Sequence, residues 1–437
     1  MRLVAVADSD SYVKWAAAML SRMPADWQLS LVIVATPKRP SADQLAAALS
    51  GSGIAPEDVV TLPLDRAVDH IVSEHPDAML VATIGPLADV VTDDVLTRSV
   101  KRPVVISGVP GIALPARRKA LVYRSQAHLI VLHSRVEIRR FEVLARRNRL
   151  GHEFALATLP FLAERSQASD AQGPVIFAAQ AIVPPTREQR VSMLRSLVSF
   201  ACRYPHLRVV LKVRAVAGEG QTHAERWDYA SLLASDFPSA PENIVIASGP
   251  MEEHLRGASA LVTVSSTAAI EAVALGIPVM IIDDFGVSNE LINGVFVGSD
   301  LLGGTRDLLA RDFREPNAEW LDDNYFHPEA DNTWVAAIAD LVSRNRAGQL
   351  PVRPRIVRGG GGALRRAWDR KQALGSADRS LMGYLALAVG TPARMAVFAL
   401  HGLVRLAIEP REAPSDIALD DEAPALPESS ERAPRSR

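Results

Sequence analysis

The sequence predicts an α/β protein built as two similar halves, each a parallel sheet covered by helices on both faces, with a tail after them. Three observations carry this. Short apolar runs alternate with longer segments of helical period, the pattern of a helix-covered parallel sheet. The alternation stops at the polar, turn-rich segment Glu164–Gly173 and then restarts. Past a helix at Trp334–Arg344, residues 344–371 carry nine Arg or Lys against one acid, Asp369.

In the first half, Leu3–Ala7, Leu29–Ala35, Val59–Leu62, Ala78–Ala82 and Pro103–Ile106 read as buried strands, with Leu121–Arg124 and Leu129–His133 as two more. Helices fit Ser11–Arg22, Ser41–Leu49, Ala67–Glu74, Ala88–Leu96 and Val136–Asn148. In the second half the strands are Pro174–Ala178, Val209–Val213, Ile244–Ala247, Leu261–Val264 and Val279–Ile282. Its helices are Arg187–Arg203, Ala224–Ser235, Glu252–Gly257 and Ala268–Leu275. The expected organisation is 1–165, 166–345, a basic linker with an amphipathic helical segment at 346–408, and a Pro-, Ser- and charge-rich tail at 409–437 with too little to bury to fold.

Composition excludes several classes. In 437 residues, 48 Lys and Arg face 50 Asp and Glu, a net charge of -2, so global charge does not coat nucleic acid. Aromatics at 5% are too few for base-stacking platforms, and no nucleic-acid partner is expected. The single cysteine, Cys202, precludes an internal disulfide or a multi-cysteine zinc site. Leu3–Ala7 is too short for an export signal, and no apolar run reaches spanning length. A cytoplasmic protein is expected, with membrane contact at most at the inner face.

The densest information lies in Leu261–Asp284, LVTVSSTAAIEAVALGIPVMIIDD. Ser265, Ser266 and Thr267 fall where a strand ends and a helix begins, where unpaired N–H groups favour an anion. Their hydroxyls add donors for phosphate; the alternative is helix capping alone. Glu271, one turn beyond Thr267, is placed to accept hydrogen bonds from ribose hydroxyls.

SSTAAIEAVALGIPV resembles the donor-site element of GT-B glycosyltransferases, two Rossmann-like domains facing a cleft. The resemblance implies a ribose-binding Glu271. The Ser pair is similar, more distantly, to that of bacterial sialyl and Kdo transferases, where it holds the phosphate of a CMP-sugar. Teichoic-acid glycerophosphotransferases carry a comparable element. Together with ADSDSYVKW (7–15), SGVPGIALP (107–115), LKVRAVAGEGQTHAE (211–225) and DFGVSNELINGVFVGS (284–299), the motif resembles a family of high-GC bacteria described only in general terms as glycosyltransferases. The likeness covers about residues 1–345.

Further candidates follow. Lys212 and Arg214 end a strand and can neutralise phosphate. His223 stands where related transferases carry a His-Pro pair, but here Ala224 follows it. The resemblance implies that the loop of Gly249, Pro250 and Met251 contacts the base, and that Asp284, Phe285 and Gly286 approach the transferred sugar. Gln180 closes a strand toward the cleft. Asp8 and Asp10 lie at a strand's carboxyl end, where open α/β sheets bind ligands, and are candidates for the base that deprotonates an acceptor hydroxyl. The alternative for both is helix capping. Lys14, one turn on, is placed to hold a charged acceptor; Gly108 opens a loop lining the acceptor cleft; His133 is a further base candidate. Asp8-Ser9-Asp10 matches a metal-binding triplet, yet GT-B chemistry usually needs no metal, and no metal or cofactor is expected beyond the nucleotide-sugar substrate.

Arg394, His401 and Arg405 share one helical face, and the basic cluster Arg353, Arg355, Arg358, Arg365, Arg366, Arg370 and Lys371 precedes them. Two readings stay open for 353–408: peripheral contact with anionic lipid, or packing of this tail across the two domains. The expected activity is transfer of a sugar from a nucleotide-sugar to a glycan or lipid-linked acceptor, in cell-envelope or capsular glycan synthesis. Alternatives are a teichoic-acid-type glycerophosphotransferase, a sugar-nucleotide 2-epimerase and a non-catalytic nucleotide-sugar binder.

Overall fold

The computed structural model of the chain describes residues 1–160, 162, 170–213, 227–356 and 362–391. The first sheet has seven parallel strands in the order β3-β2-β1-β4-β5-β6-β7. They are β1 (Arg2–Ala7), β2 (Gln28–Val34), β3 (Val60–Leu62), β4 (Ala78–Ala82), β5 (Val104–Gly108), β6 (Leu129–Leu132) and β7 (Glu153–Leu156). Helices α1 (Asp10–Leu20), α2 (Ala42–Leu49), α3 (Leu64–Ser73), α4 (Gly85–Arg98), α5 (Arg118–Val122) and α6 (Arg135–Arg147) connect them. The apolar runs are continuous because both faces of this sheet are covered. Leu3, Ala5 and Ala7 of β1 enter one core and Val4 and Val6 the other.

The second sheet runs β10-β9-β8-β11-β12-β13. Its strands are β8 (Val175–Ala178), β9 (Val209–Lys212), β10 (Ile244–Ala247), β11 (Ala260–Thr263), β12 (Val279–Ile282) and β13 (Leu302–Gly303). Around it lie α7 (Arg187–Arg203), α8 (Tyr229–Asp236), α9 (Met251–Leu255), α10 (Ala268–Ala274), α11 (Thr305–Leu309) and α12 (Ala318–Asp323). Two Rossmann-like sheets of this kind make a GT-B fold.

Three sequence expectations are corrected. Leu121–Arg124 is not a strand: Arg118–Val122 forms one short helix, and a four-residue apolar run carries no periodicity to separate the two. The helix after the second sheet, α13 (Trp334–Arg346), does not complete that half. Trp334, Ile338, Leu341 and Val342 join the first core, and Arg344, Asn345 and Arg346 reach Glu153, the Arg102 carbonyl and Asp77.

The basic cluster is also largely spoken for. Arg355 forks onto Asp89 and Asp93 of α4, at 2.6–3.0 Å and largely out of solvent. Arg353 donates to the Gly151 carbonyl, Arg365 to Asp369, and Arg370 to Asp65. Helix α14 (Gly362–Leu374) packs on α4, with Ala373 and Leu374 in the core. Arg355 and Arg370 therefore tie the tail to the first domain, because α3 and α4 present the matching acids, and Arg353 adds a bond to its backbone. Arg214, His223, Arg358, Arg394, His401, Arg405 and the tail at 409–437 lie outside the described residues. Among the described residues no helix is long and apolar enough to cross a membrane.

Candidate functional site

Each sheet has one point where the strand order reverses, and an open α/β sheet offers its ligand crevice there. In the first sheet the point lies between β1 and β4, in the second between β8 and β11. The sequence candidates gather at both.

At the first point, Asp8 follows β1. Its carboxylate accepts the Ser9 hydroxyl at 3.1 Å and, more weakly, the Ile84 N–H at 3.4 Å from beyond β4. Asp8 is fully buried. Desolvation pushes its carboxyl up to about 6, against the pull of those two donors and of Lys38 and Arg124. The buried Arg124 guanidinium donates to Ser107 Oγ, the Thr83 and Ala120 carbonyls and Tyr12 Oη, tying together the strand ends around Asp8. Asp10 is exposed in the first turn of α1, where Ser9 holds the cap position. Burial raises its carboxyl while Lys14 lowers it.

Two candidates here are corrected. His133 has no access to a substrate. It is fully buried, its Nε2 accepts the Trp15 indole N–H at 2.8 Å, and its Nδ1 bonds the Ala157 carbonyl at 2.9 Å. Desolvation lowers it to about 4, so it is neutral and structural. Gly108 is buried and lines no acceptor cleft. A Cβ there would stand 2.6 Å from the Trp15 ring and 2.9 Å from the Val131 carbonyl, so glycine is required by the close approach of α1.

At the second point, Gln180 follows β8 and Ser265 follows β11. Gln180 Oε1 accepts both the Ser265 N–H and its hydroxyl at 3.0 Å. Ser266 Oγ accepts the Ala268 N–H at 3.3 Å, so the capping reading is realised at that residue. Thr267 makes no side-chain cap bond. Glu271 lies one turn on, half-buried. Desolvation raises its carboxyl, Lys14 lowers it, and Glu252 of α9 raises it again. Lys14 stands on α1 of the first domain, so its charge reaches Glu271 across the cleft.

Lys212 is present at the end of β9, but the residue is buried and its ammonium donates to the Val213 carbonyl at 2.7 Å. It sits beneath the site surface. Gly249 (φ +97°) turns the loop into α9 behind Pro250 and Met251, and His254 bonds the Ser248 carbonyl at 2.7 Å to brace that turn.

The Asp284 candidate is also corrected. Both its oxygens accept the Thr305 N–H, at 2.9 and 3.1 Å, and one accepts the Thr305 hydroxyl. The carboxylate caps α11 at the far edge of the sheet and is not left for a sugar. Phe285 packs against the second core. The Gly286 carbonyl is held by Asn293, which is fully buried.

Sequence reasoning missed the braces. Arg190 donates to the carbonyls of Gln180, Ala181, Pro184 and Trp227, and so fixes the loop that carries Gln180. An arginine on the buried face of α7 was the available signal. Glu137 is fully buried between the domains and accepts the N–H groups of Ala113 and His133 and the hydroxyl of Tyr325. Burial holds its carboxyl above the ordinary range. Arg135 and Arg139 reinforce the junction through Asp322, Asp331 and Asp323. Among the described residues no three His, Cys, Asp or Glu gather as a metal site.

Solved structures share this architecture at low identity. The "putative UDP-N-acetylglucosamine 2-epimerase from Listeria monocytogenes" is 13% identical, with a TM-score of 0.52 over 81% of this chain and 98% of its own. The Methanocaldococcus jannaschii UDP-GlcNAc 2-epimerase in complex with UDP-GlcNAc and UDP is 11% identical, with a TM-score of 0.50 over 78% and 99%. The lipopolysaccharide outer core galactosyltransferase WaaB is 9% identical, with a TM-score of 0.45 over 80% and 100%. A search of curated proteins gave no match. A family model described as "Putative glycosyltransferase (DUF6716)" matches residues 3–341, and the chain belongs to that family.

Proposed function

We propose that the protein moves a sugar from a nucleotide-sugar donor to an acceptor hydroxyl in the synthesis of a cell-envelope or capsular glycan. The observation that carries this reading is the Ser265–Thr267 turn held by Gln180 at the β8/β11 strand ends, with Glu271 one helical turn on and within electrostatic reach of Lys14. The family description supports glycosyl transfer. The UDP-GlcNAc and UDP in the Methanocaldococcus relative support a nucleotide-sugar as donor.

In this reading Glu271 accepts hydrogen bonds from the ribose, and Ser266 and Thr267 face the phosphates. Asp8 removes the acceptor proton as the acceptor oxygen bonds the anomeric carbon and the bond from that carbon to the phosphate oxygen breaks. The electron pair leaves with the nucleotide, and Arg214 offsets its charge. Asp8 is reached when acceptor entry parts its weak contact with Ile84. A carboxyl near 6 suits a base working close to neutral pH. The transfer calls for no metal and no cofactor.

The test is thermal stabilisation by CMP, CDP, UDP and GDP. One of them should raise the melting temperature, and the Ser266→Ala, Glu271→Ala double variant should lose the shift. No stabilisation by any nucleotide would overturn the reading. Conversion of the donor to its 2-epimer without an acceptor would assign the same site to epimerisation instead.

A further inference from the structure

After α14 the chain turns at Asp378 and forms a helix over 381–391 whose burial is inverted. The face turned to the body is made of small residues. Gly383, Ala386 and Gly390, spaced three and four apart, lie on one side. A Cβ at Gly390 would overlap the Trp368 ring of α14, and Ala386 is fully buried. Lys371 fixes the start of the helix. Its ammonium donates to the Asp378 carbonyl and lies 3.9 Å from the centre of the Tyr384 ring.

The large apolar side chains point the other way. Leu381 is 84% exposed, Leu385 56% and Val389 51%, in line at spacings of four, with Met382 beside them. Isolated exposed leucines are ordinary, but a continuous stripe opposite a small-residue seam indicates a covering partner.

Charge selects the kind of partner. From 379 to 408 the sequence holds Arg379, Arg394, Arg405 and His401 and not one acid. The cations of α14 behave differently: Arg365 and Arg370 are paired with acids of the protein itself. A stripe of this size, in a stretch whose only charges are positive, suits an anionic surface with an apolar interior. No described helix is long enough to cross one. We infer that the 381–391 helix lies in the interface of an anionic lipid bilayer, with Leu381, Met382, Leu385 and Val389 seated among the acyl chains. This goes beyond the proposed transfer and does not depend on it.

The test is co-sedimentation of the full chain with vesicles of phosphatidylcholine alone and of equal parts phosphatidylcholine and phosphatidylglycerol. The wild type should partition onto the mixed vesicles at least about tenfold better than onto the neutral ones. Leu385→Glu with Val389→Glu should remove that binding, and Leu381→Ser alone should weaken it several-fold, with melting temperatures unchanged because these positions face solvent. Failure of the wild type to bind mixed vesicles, or equal binding by the double variant, would overturn the inference. So would a wild-type dimer in solution that the double variant converts to monomer without any vesicle binding, which would give the face to a second copy of the chain.

Discussion

The crevices beside Asp8 and beside Ser265 have the same topological origin, yet the polar groups around the first are mostly buried and bonded to one another, while Ser266, Thr267 and Glu271 at the second stay partly exposed. Around Asp8 the first domain has used its polar groups on itself. Arg124 is satisfied by four neutral oxygens, His133 by Trp15 and Ala157, and Gly108 by the indole that rests on it. Around Ser265 the side-chain bonds are those of Gln180, of Thr263 and of the Ser266 cap, while Thr267 is exposed and Glu271 half-buried. A strand-order reversal makes room for a ligand; the side chains that enter the room decide which polar groups stay exposed.

The largest expected effect is on the Asp8 side. Asp8→Asn should cut turnover by about 10²–10⁴-fold while leaving nucleotide stabilisation intact. Wild-type turnover should fall as pH drops through about 6, where Asp8 takes up its proton. The stability effect has the opposite direction. The folded carboxyl is raised above its ordinary 3.8, so the folded state loses stability as pH rises from about 4 to about 6. Asp8→Asn should therefore stabilise the protein at pH 8, by up to about 3 kcal/mol, and not at pH 4. Full turnover by Asp8→Asn would move the base to Asp10.

Next come the packing residues. Gly108→Ala, forced against Trp15 and the Val131 carbonyl, should cost about 1–3 kcal/mol in chemical denaturation. His133→Ala, which orphans the Trp15 N–H and leaves a cavity, should cost a similar amount or more. Neither should alter the acid limb of the pH profile. A His133→Ala enzyme that is stable and inactive would restore that histidine to catalysis. The smallest effect is on the Ser265 side. Glu271→Gln keeps the shape and removes the charge, and should weaken nucleotide binding about tenfold with little change in melting temperature. Binding unchanged in calorimetry would remove the ribose contact from Glu271.

Most strands and the motif around Ser265 could be read from the chain because their signals are local. Apolar runs bounded by turns fix strands, and Ser-Ser-Thr before a helical period fixes a strand end and a helix start. Strand β7, short and half polar, gave no such signal. Asp284 and His133 were misassigned for a related reason. A polar residue at a strand end looks the same whether it meets a ligand or a neighbouring backbone, and the Thr305 and Trp15 partners are 21 and 118 positions away.

By itself the sequence determined the two α/β halves, the strand ends that carry the polar motifs, and the basic stretch after them, because periodicity and composition act over tens of residues. The tertiary structure alone decided which of those polar groups were already satisfied. It also sent α13 back to the first core, paired the basic stretch with Asp89, Asp93 and Asp65, and turned the apolar side of 381–391 outward. Each of these depends on desolvation and on partners distant in the chain, and neither is encoded in local order.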